Sequence, residues 1–218
     1  MFGFVFFDLD GTLLNTIDDL AAAGNYALEQ QGFDPYPTER YKYFVGNGIP
    51  KLIERILPIG SPQELRDKTH ELFSEYYGKH SEDMTRPYDG IPELIDELYE
   101  RGIKTAVITN KDHIFSSELI RRYFGDKITA VYGSVPGIPH KPDPQIVNKA
   151  LTELGAARED VLYVGDSGVD MQTAVNAGLT SVGVLWGFRK EDELRENGAL
   201  YICDTPEKVS EIVFGIIG

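Results

Sequence analysis

An apolar run that turns abruptly acidic opens the chain: Phe4-Val5-Phe6-Phe7-Asp8-Leu9-Asp10-Gly11-Thr12. Its Val- and Phe-rich part predicts a buried strand. At a strand's period of two, Asp8 and Asp10 leave from the same side. They stand at the strand's carboxyl end, where open α/β sheets place their ligands. Two adjacent carboxylates repel, so the pair calls for a divalent cation or a shared proton. The same residues also make an ordinary strand-ending turn, because Asp and Gly are common there. The rest of the chain has to separate the two readings.

Residues 16 to 31 predict a helix, with Ile17, Leu20, Ala21, Gly24, Ala27 and Leu28 on one face and Gly32 as its stop. After a turn-rich stretch, Ile49, Leu52, Ile53, Ile56 and Leu57 fall at helical spacing behind Gly46-Asn47-Gly48. Ser61-Pro62-Gln63-Glu64 predicts a capping box with Pro at the first helical position. From Lys104 onward, strands (104–108, 130–132, 161–164, 181–185, 201–202) alternate with helical stretches. That alternation predicts an α/β fold, a doubly wound parallel sheet. The expected division is an α/β core of residues 1–15 and 85–218, with an inserted all-helical domain at 16–84.

At 218 residues the chain is long enough to bury a core without staples. Its formal net charge of −14 argues against a nucleic-acid partner, since such binders are usually basic. Cys203 is the single cysteine, so no internal disulfide is possible and a reducing cytoplasm is expected. No basic region precedes the first apolar run, so no signal peptide is expected. The apolar tail Ile212 to Ile217 is too short to span a membrane.

Three further strand ends share the sheet edge with Asp8 in such a fold. Thr109 offers a hydroxyl, and Asn110 is expected to open onto a helix whose free N–H groups favour anions. Lys141 precedes a Pro-fixed turn, and Asp166 ends a strand with Asp170 four residues on. Singly, Thr109 reads as a helix cap, Lys141 as a solvated side chain and Asp166 as an N-cap. Jointly they supply carboxylates for a metal, donors for phosphate oxygens and a cation. That inventory suits phosphoryl transfer, which rests on positioning and charge stabilisation.

Asp8-Leu9-Asp10-Gly11-Thr12, Thr109-Asn110, Lys141-Pro142 and Gly165-Asp166-Ser167-Gly168-Val169-Asp170 resemble, in order, the four motifs of the haloacid dehalogenase superfamily of aspartate-dependent phosphohydrolases. The helical insertion is similar to that superfamily's helical cap. Phe44 to Gly48 followed by Leu52-Ile53-Glu54-Arg55 resembles the cap of the phosphoglycolate phosphatase branch. That branch often carries Asp-Ser after the first motif, where this chain has Asn15-Thr16, a departure that bears on substrate more than on reaction.

The resemblance implies that Asp8 attacks phosphorus and becomes an aspartyl phosphate, while Asp10 is the general acid and then the general base. It implies Mg2+ held by the Asp8 carboxylate, the Asp10 backbone carbonyl and the Asp166 carboxylate, with Asp170 behind them. Thr109, Asn110 and Lys141 would hold phosphoryl oxygens. Gly46, Asn47 and Gly48 are expected to contact the substrate, since two glycines permit close backbone approach and a helix start can take a carboxylate; the same residues also read as an ordinary turn between two helices of the insertion. The expected partner is a small phosphoester, with no nucleic acid and no membrane, and the expected state is monomer or homodimer. A sugar-phosphate mutase, a pyrophosphatase or a non-catalytic binding protein on the same fold stays open as an alternative.

Overall fold

The computed structural model describes residues 1–216; Ile217, the end of the apolar tail, lies outside them. The chain forms two compact units, one of Met1–Leu14 with the chain from Pro87 on, the other Asn15–Arg86.

The first unit contains six parallel strands: β1 (Phe4–Phe7), β4 (Lys104–Asp112), β5 (Ala130–Ser134), β6 (Val161–Gly165), β7 (Thr180–Val184) and β8 (Tyr201–Cys203). Two two-residue strands, β2 (Leu14–Asn15) and β3 (Arg86–Pro87), pair where the chain passes between the units. The six-stranded order is β5-β4-β1-β6-β7-β8. β1 is therefore central, with β4 and β6 on either side in parallel register. The strand order reverses about β1, and it is outside the carboxyl ends at such a reversal that open sheets hold ligands.

Alternation along β1 feeds two cores. Val5 and Phe7 join the layer of α5 (Ile91–Glu100), α6 (His113–Phe124) and α10 (Pro206–Val213) through Leu94, Leu98, Leu119, Ile120, Val209 and Val213. Phe6 joins the opposite layer of α7 (Gln145–Leu154) and α8 (Gly168–Ala177) through Ile146, Val147, Leu151 and Ala174. Both faces of a parallel sheet must be covered, and this division of apolar residues does so. A short helix unannounced by periodicity, α9 (Glu191–Glu196), follows β7.

The second unit is helical: α1 (Ile17–Glu29), α2 (Thr38–Phe44), α3 (Ile49–Ile56) and α4 (Gln63–His80). The expected capping box at Ser61 does not form. Pro62 is the N-cap of α4, and the Ser61 hydroxyl donates to the Pro58 carbonyl at 2.7 Å instead. The turn before α4 thus takes the hydroxyl that the helix start would have used.

Asp19 holds the far end of this unit. Its buried carboxylate accepts from the Met84 N–H at 3.0 Å, the Thr85 N–H at 2.8 Å and the Thr85 hydroxyl at 2.7 Å. Removing a charged acceptor from buried donors leaves them unsatisfied. Asp19→Ala is expected to destabilise the protein by about 2–4 kcal/mol, read as a lower midpoint in urea unfolding.

Candidate active site

β1 stops at Phe7, so a turn rather than strand alternation carries Asp8 and Asp10. Thr12, Leu13 and Leu14 all direct their N–H groups to the Leu9 carbonyl, and Gly11 donates to Leu14. Gly11 has φ +90°, and a Cβ there would stand 2.3 Å from Asp166 Oδ2. Only glycine fits both demands. The Asp8 N–H donates to the Val164 carbonyl of β6 at 2.9 Å, which fixes Asp8 beside the strand that leads to Asp166.

Asp8, Asp166 and Asp170 are buried, and each offers an oxygen within 4.8 Å of the other two. Asp166 does not cap α8. Ser167 is the N-cap, in a capping box with Asp170. Asp166 instead accepts from the Thr12 hydroxyl at 3.2 Å and the Phe188 N–H at 2.7 Å. Gly187 makes that approach possible, since a Cβ on it would lie 2.3 Å from Asp166 Cβ and 2.4 Å from the Gly11 carbonyl oxygen.

Lys141 is buried rather than solvated. Its Nζ lies 2.9 Å from Asp8 Oδ1 and 2.7 Å from Asp170 Oδ1, and donates to the Ile108 carbonyl at 2.9 Å. The Asn110 amide clamps the Lys141 backbone from both sides, accepting its N–H at 2.7 Å and donating to its carbonyl at 3.2 Å. The expected helix at Asn110 starts later. β4 continues to Asp112, which caps α6 through the Ile114 N–H. Thr109 is buried and its hydroxyl accepts from the Lys111 N–H at 3.2 Å.

Electrostatics follow from burial. Burial first, then Asp170, pushes Asp8 up to about 7. Burial, then Asp170 and Asp8, holds Asp166 well above the usual carboxylate range. Burial alone would lower Lys141, but Asp170 and Asp8 outweigh it and hold the ammonium well above its ordinary value. The nearby Tyr163 phenol is likewise raised by burial.

The donors suit a hard dication. All are carboxylate oxygens, as Mg2+ prefers. Of the four carboxylates gathered here, Asp8 and Asp170 meet the ammonium of Lys141 and Asp10 that of Lys111, while Asp166 is held by neutral donors and Arg189 is engaged by Glu193. Two positive charges would balance the excess.

Sequence reading missed several contributors. Lys111 is buried and its Nζ lies 3.2 Å from Asp10 Oδ1. The spacing Thr109-x-Lys111 on one strand end was the available signal. Gly187 and Phe188 carry no chemistry in their side chains that would mark them. Gly46, Asn47 and Gly48 lie in the helical unit before α3, with φ of +115° at Gly46 and +82° at Gly48. Arg55 ties that loop, donating to Asn47 Oδ1 at 2.7 Å and to the Phe44 carbonyl at 2.8 Å.

The model of the haloacid dehalogenase-like hydrolases matches residues 5–184. The chain belongs to this family. It is 32% identical to the phosphoglycolate phosphatase of Vibrio parahaemolyticus serotype O3:K6, over 95% of this chain and 94% of that protein. It is 37% identical to that of Neisseria meningitidis serogroup A, over 84% of this chain and 80% of that protein. A crystal structure from Lactobacillus delbrueckii subsp. bulgaricus, of a protein provisionally named phosphoglycolate phosphatase, superposes with a TM-score of 0.93 at 32% identity, covering 97% and 98% of the two chains.

The crowded acids have a cost to stability. The folded-state pKa of Asp8, about 7, lies above the ordinary 3.8. Folded protein therefore holds this proton more tightly, and the resulting stability is present below about pH 4 and lost as pH rises through about 7. An amide carries no such charge. Asp8→Asn is expected to stabilise the metal-free protein at pH 8 by on the order of 2 kcal/mol, with a smaller gain at pH 5. Melting in EDTA at the two pH values checks this.

Proposed function

We propose that this hydrolase is a Mg2+-dependent phosphatase for a small phosphorylated metabolite, with 2-phosphoglycolate foremost, working through an aspartyl phosphate on Asp8. The observation that carries the reading is the position of Asp8, which directly follows the central strand and lies against Lys141 with Asp166 and Asp170 beside it. The likeness to phosphoglycolate phosphatases over most of the chain supports the substrate.

Asp8 attacks phosphorus while the ester P–O bond breaks, and Asp10 gives its proton to the departing alkoxide oxygen. Asp10 then takes a proton from water, and the resulting hydroxide attacks the same phosphorus, releasing phosphate and regenerating the Asp8 carboxylate. Lys141, held by Asp170 and the Asn110 clamp, offsets charge on the phosphoryl oxygens. The Thr109 hydroxyl and the Asn110 segment supply further donors. Asp8 and Asp166, with the Asp10 carbonyl, would hold Mg2+, which supplies Lewis-acid charge to the phosphoryl group when bound. The raised Asp8 is compatible with this, since a dication at the same oxygens returns it to the carboxylate form.

The helical unit has no part in that chemistry, and the leaving group is read through Gly46-Asn47-Gly48, whose amides at the start of α3 take up a carboxylate. A cytoplasmic setting belongs to the same proposal. Cys203, the one cysteine, is a buried free thiol, and no helix among the described residues is long and apolar enough to cross a membrane.

Phosphate release across a panel of phosphorylated metabolites is expected to be greatest for 2-phosphoglycolate, to vanish in EDTA and to return with Mg2+. Asp8→Asn is expected to lower kcat by about 10⁴-fold or more, because an amide is no nucleophile for phosphorus. Phosphate that migrates within the substrate instead of being released would point to a mutase and overturn the reading.

Gly48 tests the loop separately. At φ +82° a β-branched residue is strained. Gly48→Val is expected to lower kcat/KM for 2-phosphoglycolate by about tenfold or more while sparing p-nitrophenyl phosphate. Equal losses on both, in a folded protein, would remove the loop from substrate recognition.

A further inference from the structure

The ammonium of Lys111 has no place in the chemistry so far. It is buried, with its side chain 3% exposed, and burying a lysine is costly unless the charge is met. An aliphatic residue would fill the same space without that cost. Asp10 meets the charge, its Oδ1 standing 3.2 Å from Nζ while its side chain is 13% exposed.

The backbone around Lys111 is built to hold it there. β4 pairs with β1 as far as Val107 opposite Phe7, then runs on past the end of β1. A register shift between Ile108 and Asp112 re-aims this extension before Asp112 pairs with Ser134 of β5. Such irregularities turn a side chain out of the plain alternation. Lys111 is pinned on both sides, its own N–H on the Thr109 hydroxyl at 3.2 Å and the next residue capping α6 at 2.8 Å.

The two buried lysines thus contact three of the four acids. Lys141 touches Asp8 and Asp170; Lys111 touches Asp10. We propose that Lys111 is the positioning residue for Asp10, fixing its carboxylate in the orientation from which it exchanges a proton with the leaving group. This rests on the reading of Asp10 as acid and base. A side chain with a charge-assisted hydrogen bond loses the freedom to rotate away, and proton transfer depends on that placement.

Phenyl phosphate and p-nitrophenyl phosphate have similar shapes, but only the phenolate needs much protonation as it leaves. Rapid-quench measurement of phosphoenzyme formation in Mg2+ compares them. Lys111→Met is expected to slow the step by about tenfold or more with phenyl phosphate and by less than about threefold with p-nitrophenyl phosphate. Lys111→Arg, which keeps the charge, should return part of the loss. In an Asp10→Asn background, Lys111→Met should cost nothing further with phenyl phosphate, because the two act as one unit. If Lys111→Met does not fold, Lys111→Gln carries the same comparisons.

Equal losses with the two esters, or losses that add in the double variant, would overturn the positioning role and leave the phosphatase reading standing. A wild-type protein that hydrolyses neither ester with Mg2+ would instead bring down the phosphatase reading, and this inference with it.

Discussion

A single buried ammonium holds the sheet's functional edge together. Lys141 Nζ reaches Asp8 beyond β1, the Ile108 carbonyl in β4, the Tyr163 hydroxyl in β6 at 3.3 Å and Asp170 in α8. Those contacts converge on one point from three elements and the turn after β1. A buried ion pair is a poor source of stability, because desolvation offsets most of the attraction. Its value here is geometric. The cation sets where two carboxylates point, and Asn110 sets where the cation's own backbone lies.

Around that centre the chain gives up side-chain volume to bring acids close. Gly11 and Gly187 flank Asp166 at distances no Cβ tolerates. Asp170 serves twice, closing the capping box of α8 with one oxygen and meeting Lys141 with the other. Asp8 and Asp166, whose carboxyl groups burial raises, oppose folding where they are charged, and natural proteins keep such arrangements at working sites and make up the stability elsewhere. Val5, Phe6 and Phe7, buried on the two faces of β1, contribute to that stability.

Much of this was legible beforehand. The six strands followed from apolar runs ending in Asp, Asn or Gly, and their separation by helices fixed a parallel sheet. The acids and Lys141 were found because their residue types carry chemistry and their strand ends share an edge. Geometry that depends on tertiary approach was not legible. Asn110 reads as facing a helix start, yet β4 runs four residues further than its apolar pattern, because a periodicity of hydrophobic residues does not register polar Asn110 and Lys111. Ser61 looked like a cap, yet a nearer carbonyl took its hydroxyl. Gly187 and Phe188 act through backbone and absence of volume, which leave no trace in residue chemistry.

The central place of β1 has a consequence for how the chain comes together. Phe4 lies opposite Lys104 on one side and Val161 on the other, so this strand must wait for partners a hundred and more residues downstream. Closing loops of that length is entropically unfavourable, and pairings between distant strands form slowly. The helical segment between them, contiguous in sequence and rich in near-neighbour packing, meets its partners much sooner. During synthesis the Phe4–Phe7 segment is therefore an apolar stretch with a long wait, and the two aspartates that follow it keep its end charged meanwhile.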